Sequence, residues 1–268
     1  MHIVEDEDRK GKMEGKVFLI TGCSSRIGID TVRAAAATCP KVFLAVRSLE
    51  KGQAAWREES VDGFEMQLAT NFLGHFLLFW LLKDAMLENS TPEFSSRLVN
   101  VSSAGHHTTE VQFEDLNLTK PGAYEPWKSY GQSKLAQIYM SNSVERKYGA
   151  QGLHSLSLVP GDISTSLQKH MPELGLRDWA KNEGIAKLIK SPAQGAATTM
   201  YAAVSREWEG KGGKYLENYR VGTEEPLIPL TNGVKGYAYD ETKEERLWQR
   251  TLQMLELEQG AWIKPNPI

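Results

Sequence analysis

Residues 17–28 read VFLITGCSSRIG, an apolar run that leads into a turn of glycine and serine. The run VFLI is short and contains β-branched and aromatic residues, which predicts a buried strand. Residues 27–38 follow with four consecutive alanines and predict a helix. A strand, a glycine turn and a helix in this order are typical of the phosphate-binding turn of a dinucleotide fold. Arg26, however, stands where such a turn has a glycine.

The same alternation continues along the chain and predicts the fold class. Further strands are expected at 41–46, 97–103, 153–159 and 214–217, and further helices at 48–59, 64–88, 128–148, 192–206 and 239–258. Strands that alternate with helices favour an α/β fold with a doubly wound parallel sheet of the Rossmann type, in a single domain. Its expected parts are a polar N-terminal leader, the domain itself, and a C-terminal helix with a tail, at residues 1–15, 16–238 and 239–268.

The first half of this domain is shorter than the alternation requires. No strand-like run lies between Val46 and Leu98, and residues 64–88 have the apolar spacing of a helix that tolerates Gly74. Two predicted helices therefore follow each other without a strand between them. The sheet is predicted to be shortened in its first half.

The composition argues against several classes of partner. A net charge of −3 over 268 residues gives no electrostatic reason to expect nucleic acid and favours a small-molecule substrate. Cys23 and Cys39 are the two cysteines, which fits a reducing compartment, and with no visible secretory or import leader a cytoplasmic location is expected. The longest apolar run, 76–82, is far short of the ~20 residues that span a bilayer, so a membrane partner is not expected. No metal site is expected, because the histidines lack ligand spacing.

Tyr130 and Lys134 carry the strongest chemical signal. They stand four positions apart in a predicted helix and therefore share one of its faces. A nearby ammonium stabilises phenolate, so Lys134 is expected to lower the pKa of Tyr130 and to make it a general acid or base. Ser102 and Ser103 end the strand that precedes this helix, and their hydroxyls could orient a substrate carbonyl.

Taken in order, these motifs resemble the short-chain dehydrogenase/reductase family, and in particular its retinol-dehydrogenase-like and fungal reductase members. The resemblance extends over about residues 14–220. The motifs that carry it are TGxxxxIG at 21–28, ATNFLGHF at 69–76, VNVSS at 99–103, YxxSK at 130–134 and the Pro160-Gly161 turn.

The resemblance implies catalytic roles for four residues. Tyr130 would donate or accept the proton, and Lys134 would lower its pKa and hold the nicotinamide ribose. Ser103 would bind the carbonyl or alcohol oxygen. Asn71 would hold a helix kink and the water of a proton relay. A homodimer formed through the helices at 64–88 and 128–148 is expected by the same resemblance.

The resemblance also implies a cofactor site. Gly22 and Gly28 would face the pyrophosphate, and a turn at 160–165 would contact the nicotinamide carboxamide. Arg47 stands where an acidic residue would bind a free ribose 2′-hydroxyl, which favours NADP; the alternative for Arg47 is an ordinary solvated arginine. The residues assigned to the cofactor are Gly22, Ser24, Arg26, Ile27, Gly28, Arg47, Tyr130, Lys134, Ile163 and Thr165.

Two features depart from the family pattern. A side chain at Arg26 would obstruct the approach of the backbone to phosphate, although a guanidinium could also pair with it. Gly22 and Asn71 stand 49 positions apart (71 − 22), and neither a third strand nor a fourth strand with an Asn-Asn-Ala-Gly motif lies between them. The fourth strand of this fold lies between the first and the fifth. Its loss should either bring strand one against strand five or leave sheet edges unpaired.

Two functions follow from these observations. The first is an NADP-dependent oxidoreductase that interconverts a carbonyl and an alcohol on a small, apolar substrate. The second is a catalytically impaired relative with a binding or scaffold role, or the product of a truncated gene model. The intact Asn71, Ser103, Tyr130 and Lys134 favour the first, whereas Arg26 and the missing strands favour the second.

Overall fold

A computed structural model of the chain describes residues 11–23, 26–38, 40–45, 58–163, 189–224 and 231–257. The strands are β1 (Val17–Thr21), β2 (Lys41–Ala45), β3 (Ser96–Val101), β4 (Leu153–Val159), β5 (Lys214–Glu217) and β6 (Arg220–Val221). The α-helices are α1 (Arg26–Ala36), α2 (Met66–Leu68), α3 (Gly74–Glu88), α4 (Pro126–Tyr148), α5 (Pro192–Val204) and α6 (Glu241–Met254). A π-helical segment, Ala69–Leu73, joins α2 to α3, and a 3-10 turn at Ala104–His107 follows β3.

The predicted α/β class and the parallel character of the sheet are confirmed. β1 pairs with β2 in parallel, from Val17 opposite Lys41 to Thr21 opposite Ala45. β3, β4 and β5 form a second parallel run, to which β6 adds an antiparallel edge. The sequence did not predict β6. Of the helix expected at 48–59, the structure describes only 58 and 59, and Glu59 forms an isolated β-bridge with Glu65.

The missing strands divide the sheet into two hydrogen-bonded pieces. Among the described residues no strand lies between β2 and β3, and neither β1 nor β3 has a strand partner on its other edge. Of the two arrangements expected for the shortened sheet, the structure therefore shows unpaired edges rather than β1 paired with β3. On β1 and β2 one face is open: Val17, Leu19 and Phe43 are exposed, with Val17 at 62%.

The opposite face of β1 packs against α1 and α5, two helices that are far apart in the chain. Ala34 and Ala35 of α1 meet Met200 and Val204 of α5 in one apolar cluster. Small alanine side chains allow the two helices to approach closely. Met13 is buried in the same cluster, so the end of the predicted polar leader is part of the core.

The main core lies around α4, whose inner side chains are buried along nearly its whole length. α6 packs on both α3 and α4: Trp248 contacts Phe76 edge-on with ring centroids 4.9 Å apart, and Asn142 donates to Glu244 at 2.7 Å. Lys147 also pairs with Glu245 at 2.6 Å. The surfaces of α3 and α4 that contact α6 are therefore not available to a second chain, and the expected homodimer stays a prediction. No helix in the described part of the chain is long and apolar enough to span a bilayer.

Candidate active site

The candidate site lies where β3 ends and α4 begins. Ser102 and Ser103 directly follow β3, and Tyr130 stands in the second turn of α4. α4 begins where it does because the Glu125 carboxylate accepts hydrogen bonds from the backbone N–H groups of Trp127 and Lys128, at 3.0 and 2.7 Å. This cap places Tyr130 at the carboxyl edge of the sheet, where parallel α/β folds bind their ligands.

Ser103 and Tyr130 are in direct contact. A side-chain hydrogen bond joins them, and the Ser103 Oγ also accepts a bond of 3.0 Å from the backbone N–H of Gly105. This N–H leaves the Ser103 hydroxyl proton free to point toward Tyr130 or toward a substrate oxygen. The serine and tyrosine that the sequence assigned to catalysis are therefore brought together by the fold.

Lys134 lies on the same face of α4, one turn beyond Tyr130. Its ammonium donates a hydrogen bond of 3.0 Å to the carbonyl oxygen of Val101 and lies 5.7 Å from the centre of the Tyr130 ring. Ser102 donates to the backbone carbonyl of Lys134 at 2.7 Å and so ties the end of β3 to α4. Burial lowers the pKa of Lys134 to about 8.

The lowering of the Tyr130 pKa that was expected from Lys134 stays a prediction, and burial opposes it in this arrangement. Burial raises the pKa of Tyr130, because a phenolate loses its hydration there, and the hydrogen bond to Ser103 only partly opposes this rise. The ammonium of Lys134 is directed to the Val101 carbonyl and lies over the tyrosine ring. In this structure the group that favours the phenolate is the Ser103 hydroxyl.

Asn71 lies in the π-helical segment between α2 and α3, so the helix is irregular where the resemblance implied a kink. Its side-chain Nδ2 donates to the Ser133 Oγ at 3.0 Å, and that hydroxyl donates to the Tyr130 carbonyl at 2.8 Å. The Asn71 carbonyl accepts from the Gln137 side chain and from His75 Nδ1. Asn71 thus reaches Tyr130 through the backbone of α4, not through the phenol.

The glycine turn has two glycines with different tasks. Gly22 has a φ of +65°, a left-handed conformation, and no atom of the described residues other than its chain neighbours lies within 4 Å of the position that a Cβ would take. The space beside the Gly22 Cα is therefore open, so a phosphate could approach the backbone there. A Cβ on Gly28 would overlap the Gly22 carbonyl oxygen and lie 2.7 Å from the Cys23 Cα. Gly28 thus lets α1 pack against the turn, and its expected place at the pyrophosphate stays a prediction.

Of the other residues assigned to the cofactor, the structure describes the side chains of Ile27 and Ile163. Near Gly195 of α5, Ile27 from the glycine turn and Ile163 from the turn after β4 come together. Ile163 also forms a β-bridge with Lys190, whose side chain covers Gly161. Ser24, Arg47 and Thr165 lie outside the described residues, and the structure describes Arg26 only as the first residue of α1.

Gly105 belongs to this site and was not singled out from the sequence. A Cβ at this position would lie 2.6 Å from Cε1 of Tyr130 and 3.4 Å from the Ser103 Oγ. The missing side chain therefore makes room for the tyrosine ring. Its position two residues after the strand-terminal serines is the signal that could have identified it.

Replacing Gly105 with alanine is expected to displace the Tyr130 ring and to lower turnover by roughly 10²-fold, the cost of a small misplacement of a catalytic group. The protein should remain folded, because the clash is with one side chain and not with backbone. Steady-state kinetics with a thermal melt would check this. A Gly236→Ala variant is the matched control, because a Cβ there meets no atom of the described residues within 4 Å. Unchanged turnover in Gly105→Ala would contradict the placement of the ring.

Comparison with known proteins identifies relatives along nearly the whole chain. A short-chain dehydrogenase/reductase, prx1, from Penicillium roqueforti is 45% identical over 307 residues, covering 96% of this chain and 90% of that protein. The oxidoreductase calI from Penicillium decumbens is 32% identical, covering 96% of this chain and 92% of that protein. The chain belongs to the short-chain dehydrogenase/reductase family. It is therefore an oxidoreductase, and the alternative of a non-catalytic binding protein is not favoured.

Further comparisons agree with this assignment. The human polyprenol dehydrogenase is 36% identical over 201 residues, covering 72% of this chain and 55% of that protein. A crystal structure of an uncharacterized protein from Mycobacterium paratuberculosis has a TM-score of 0.63 at 25% identity, covering 93% of this chain and 97% of that one. A short chain dehydrogenase from Salmonella enterica serovar Typhi shares the fold, with a TM-score of 0.54, 15% identity and coverage of 78% and 97%. No family model matches the chain.

The alignment with prx1 is longer than this chain. The alignment with prx1 spans 307 positions, whereas this chain has 268 residues, so at least 39 positions (307 − 268) of that relative have no counterpart here. One strand–helix–strand unit needs about 30 residues or more. The difference in length is therefore of the size expected for the strands that the sequence lacks and that are not found among the described residues.

Proposed function

We propose that this enzyme interconverts a carbonyl and an alcohol with NADP as its cofactor. The observation that carries the proposal is the contact between Ser103 and Tyr130 at the carboxyl edge of the sheet, with Lys134 one turn away. The residues present fit a nicotinamide cofactor, because Gly22 presents an open, left-handed turn at the end of β1 and at the beginning of α1. A bound nicotinamide would supply hydride chemistry, which no amino-acid side chain provides.

The residues of the chain supply binding and proton transfer. Ser103, held by the Gly105 N–H, donates a hydrogen bond to the substrate oxygen. Tyr130 Oη gives its proton to that oxygen when a carbonyl is reduced and takes it back when an alcohol is oxidised. Because burial raises the pKa of Tyr130, its resting form is the neutral phenol, which is the form that a general acid requires. Lys134 would hold the ribose once its ammonium turns from the Val101 carbonyl.

The preference for NADP rests on Arg47, which follows β2 in the sequence at the position that meets the adenine ribose in this fold. Replacing Arg47 with alanine is expected to weaken NADPH binding by about 10- to 100-fold, the range for a charge-assisted hydrogen bond to phosphate. NADH lacks that phosphate, so its affinity should not change. Fluorescence titration with both nucleotides measures the difference. Arg33→Ala is the control, because Arg33 is exposed and pairs with Asp30 on α1.

An apolar substrate is supported by the relatives and by the sequence. One relative is named for the oxidation of polyprenol, a long apolar alcohol. The segment 174–190, which is rich in leucine, isoleucine and tryptophan, stands where the family places its substrate loop, and 174–188 of it lies outside the described residues. A cytoplasmic location is proposed with it, on the basis of two cysteines that need no oxidising compartment.

The experiment that tests this function is a titration of the folded protein with NADPH, followed by nucleotide fluorescence and by melting temperature. Saturable binding, with a stabilisation of the protein that grows with ligand concentration, is the expected result. A panel of apolar ketones, aldehydes and secondary alcohols then tests for turnover by nicotinamide absorbance. Cooperative unfolding without any response to NADPH or NADH would overturn the proposal.

A further inference from the structure

A hydrogen-bonded bridge connects the glycine turn with the π-helical segment. Thr21 is the last residue of β1 and directly precedes Gly22. Its Oγ1 lies 3.1 Å from the Nε2 of His75, which stands in the first turn of α3. The other ring nitrogen of His75, Nδ1, lies 3.1 Å from the carbonyl oxygen of Asn71. A single imidazole thus contacts both the cofactor turn and a residue of the candidate catalytic set.

The acceptor groups in this bridge determine which nitrogen of the His75 ring carries the hydrogen. The Asn71 carbonyl can only accept, so Nδ1 must carry the hydrogen and donate it. In a neutral imidazole Nε2 is then the acceptor, and the Thr21 hydroxyl donates to it. The bridge therefore has a direction, from the Thr21 hydroxyl through His75 to the Asn71 carbonyl.

The bridge lies in the part of the fold where the sheet is interrupted. In the strand order of this fold a central strand separates the first strand from the fifth, but among the described residues none lies between β1 and β3. Ladder hydrogen bonds between β1 and its neighbour on this side are correspondingly missing from the described part. The bond from Thr21 to His75 joins residues 54 positions apart and links the β1 edge directly to α3.

From Asn71 the connection continues to the catalytic helix. The Asn71 Nδ2 donates to Ser133, and Ser133 donates to the carbonyl of Tyr130. Each member of this series is hydrogen-bonded to the next, so a displacement of the glycine turn would be transmitted to the helix that carries the tyrosine. Bonded side-chain series of this kind typically behave as one unit when single members are replaced.

We propose that His75 is a positioning residue that holds the nucleotide-binding turn in register with the catalytic helix, in the place of the central strand. This inference rests on the proposed function, because it assigns the turn to a nucleotide. It adds Thr21 and His75 to the groups on which the reaction depends. Neither of them touches the reacting atoms.

The test is a double-mutant cycle with Thr21→Val and His75→Asn. Valine removes the hydroxyl with little change in shape, and asparagine can keep the donor to the Asn71 carbonyl while losing the contact with Thr21. Each single variant is expected to weaken NADPH binding by roughly fivefold, the value of one hydrogen bond. The double variant should bind about as weakly as either single one, because both break the same bond. Thr21→Ser keeps the hydroxyl and should bind like the wild type.

Thr251→Val is the matched control. Its Oγ1 donates to the Leu247 carbonyl at 2.8 Å, and the residue is fully buried in α6, outside the hydrogen-bonded series from Thr21 to Tyr130. This variant should have a lower melting temperature but unchanged NADPH affinity and turnover. If His75 had a merely structural role, the Thr21 and His75 variants would also have a lower melting temperature with unchanged NADPH affinity and turnover. That result would overturn the inference.

Two measurements on the nucleotide-free protein separate this inference from the proposed function. Nitrogen-15 NMR should show that the hydrogen of the His75 imidazole is on Nδ1. The His75 resonances are assigned as those that disappear in the His75→Asn variant. The lowering of the melting temperature in the double variant should be smaller than the two single changes combined. Hydrogen on Nε2, or additive changes, would contradict the bridge whether or not NADPH binds. Failure of the wild type to bind NADPH, with the bridge intact, would overturn the nucleotide-binding role of His75 together with the proposed function.

Discussion

Replacing Tyr130 with phenylalanine is expected to lower turnover by about 10²- to 10⁴-fold, the usual contribution of a positioned general acid or base. The change removes the Oη that carries the proton and the hydrogen bond to Ser103, and leaves the ring that packs on Gly105. NADPH affinity should stay within a few-fold of the wild type, because the glycine turn is not altered. Stopped-flow measurement of nicotinamide oxidation, with a separate binding titration, distinguishes the two effects.

Tyr139→Phe is the control for this prediction. Tyr139 lies on the same helix, is buried, and donates its hydroxyl to the Tyr237 carbonyl at 2.9 Å, away from Ser103. Loss of that hydroxyl should lower the free energy of unfolding by about 1 kcal/mol without changing turnover. If Tyr130→Phe turned over substrate like the wild type, the assignment of the proton to Tyr130 would be wrong.

Replacing Gly28 with alanine is expected to have the second large effect. The new Cβ would overlap the backbone of Gly22 and lie 2.7 Å from the Cys23 Cα, and backbone atoms cannot move aside as a flexible side chain can. Relief of the clash must move α1 away from the turn. We expect the free energy of unfolding to fall by about 1 to 3 kcal/mol, as for overpacked interiors, and NADPH affinity to fall by about 10²-fold.

Denaturant unfolding and nucleotide titration measure these two consequences separately. Gly236→Ala serves again as control, because its Cβ would meet open space and should change neither quantity by more than the error. An alanine at Gly28 that kept wild-type stability and affinity would show that α1 does not pack against the turn as described.

The candidate catalytic residues are present although this chain is shorter than its relatives. Relatives at 45% identity have at least 39 positions more than this chain, yet Ser103, Tyr130, Lys134 and Asn71 are still brought to one edge. Ser103, Tyr130 and Lys134 lie on or beside β3 and α4, which follow the shortened region in the chain. Among the contacts that attach β1 and α1 to the rest of the described domain are those with α5 and the bond between Thr21 and His75.

Much of the fold was predictable from the sequence. β1, β2, β3, β4 and β5 lie within one or two residues of their predicted positions, and α4 begins two residues early because Pro126 and the Glu125 cap initiate it. The short strand β6 was missed, since two residues between turns carry no periodicity. The absence of a strand between β2 and β3 in the described part of the chain was also predicted, from the helical spacing of 64–88.

The candidate site was predictable as a set of residues but not as an arrangement. The sequence indicated Ser103, Tyr130 and Lys134 from their order and spacing. It did not indicate that the Lys134 ammonium is directed to the Val101 carbonyl, or that burial raises the pKa of Tyr130. Both depend on the atoms that surround the helix, and those atoms come from distant parts of the chain.

By itself, the sequence determined the strands, the helices and the glycine turn that the structure describes, and it predicted the absence of two strands. Hydrophobic periodicity and turn chemistry are properties of consecutive residues. The tertiary structure decided that the sheet is divided, that Gly105 gives room to Tyr130, and that His75 joins Thr21 to Asn71. These features are contacts between residues far apart in the chain. Packing and the pairing of buried polar groups select such contacts only when the whole domain has formed.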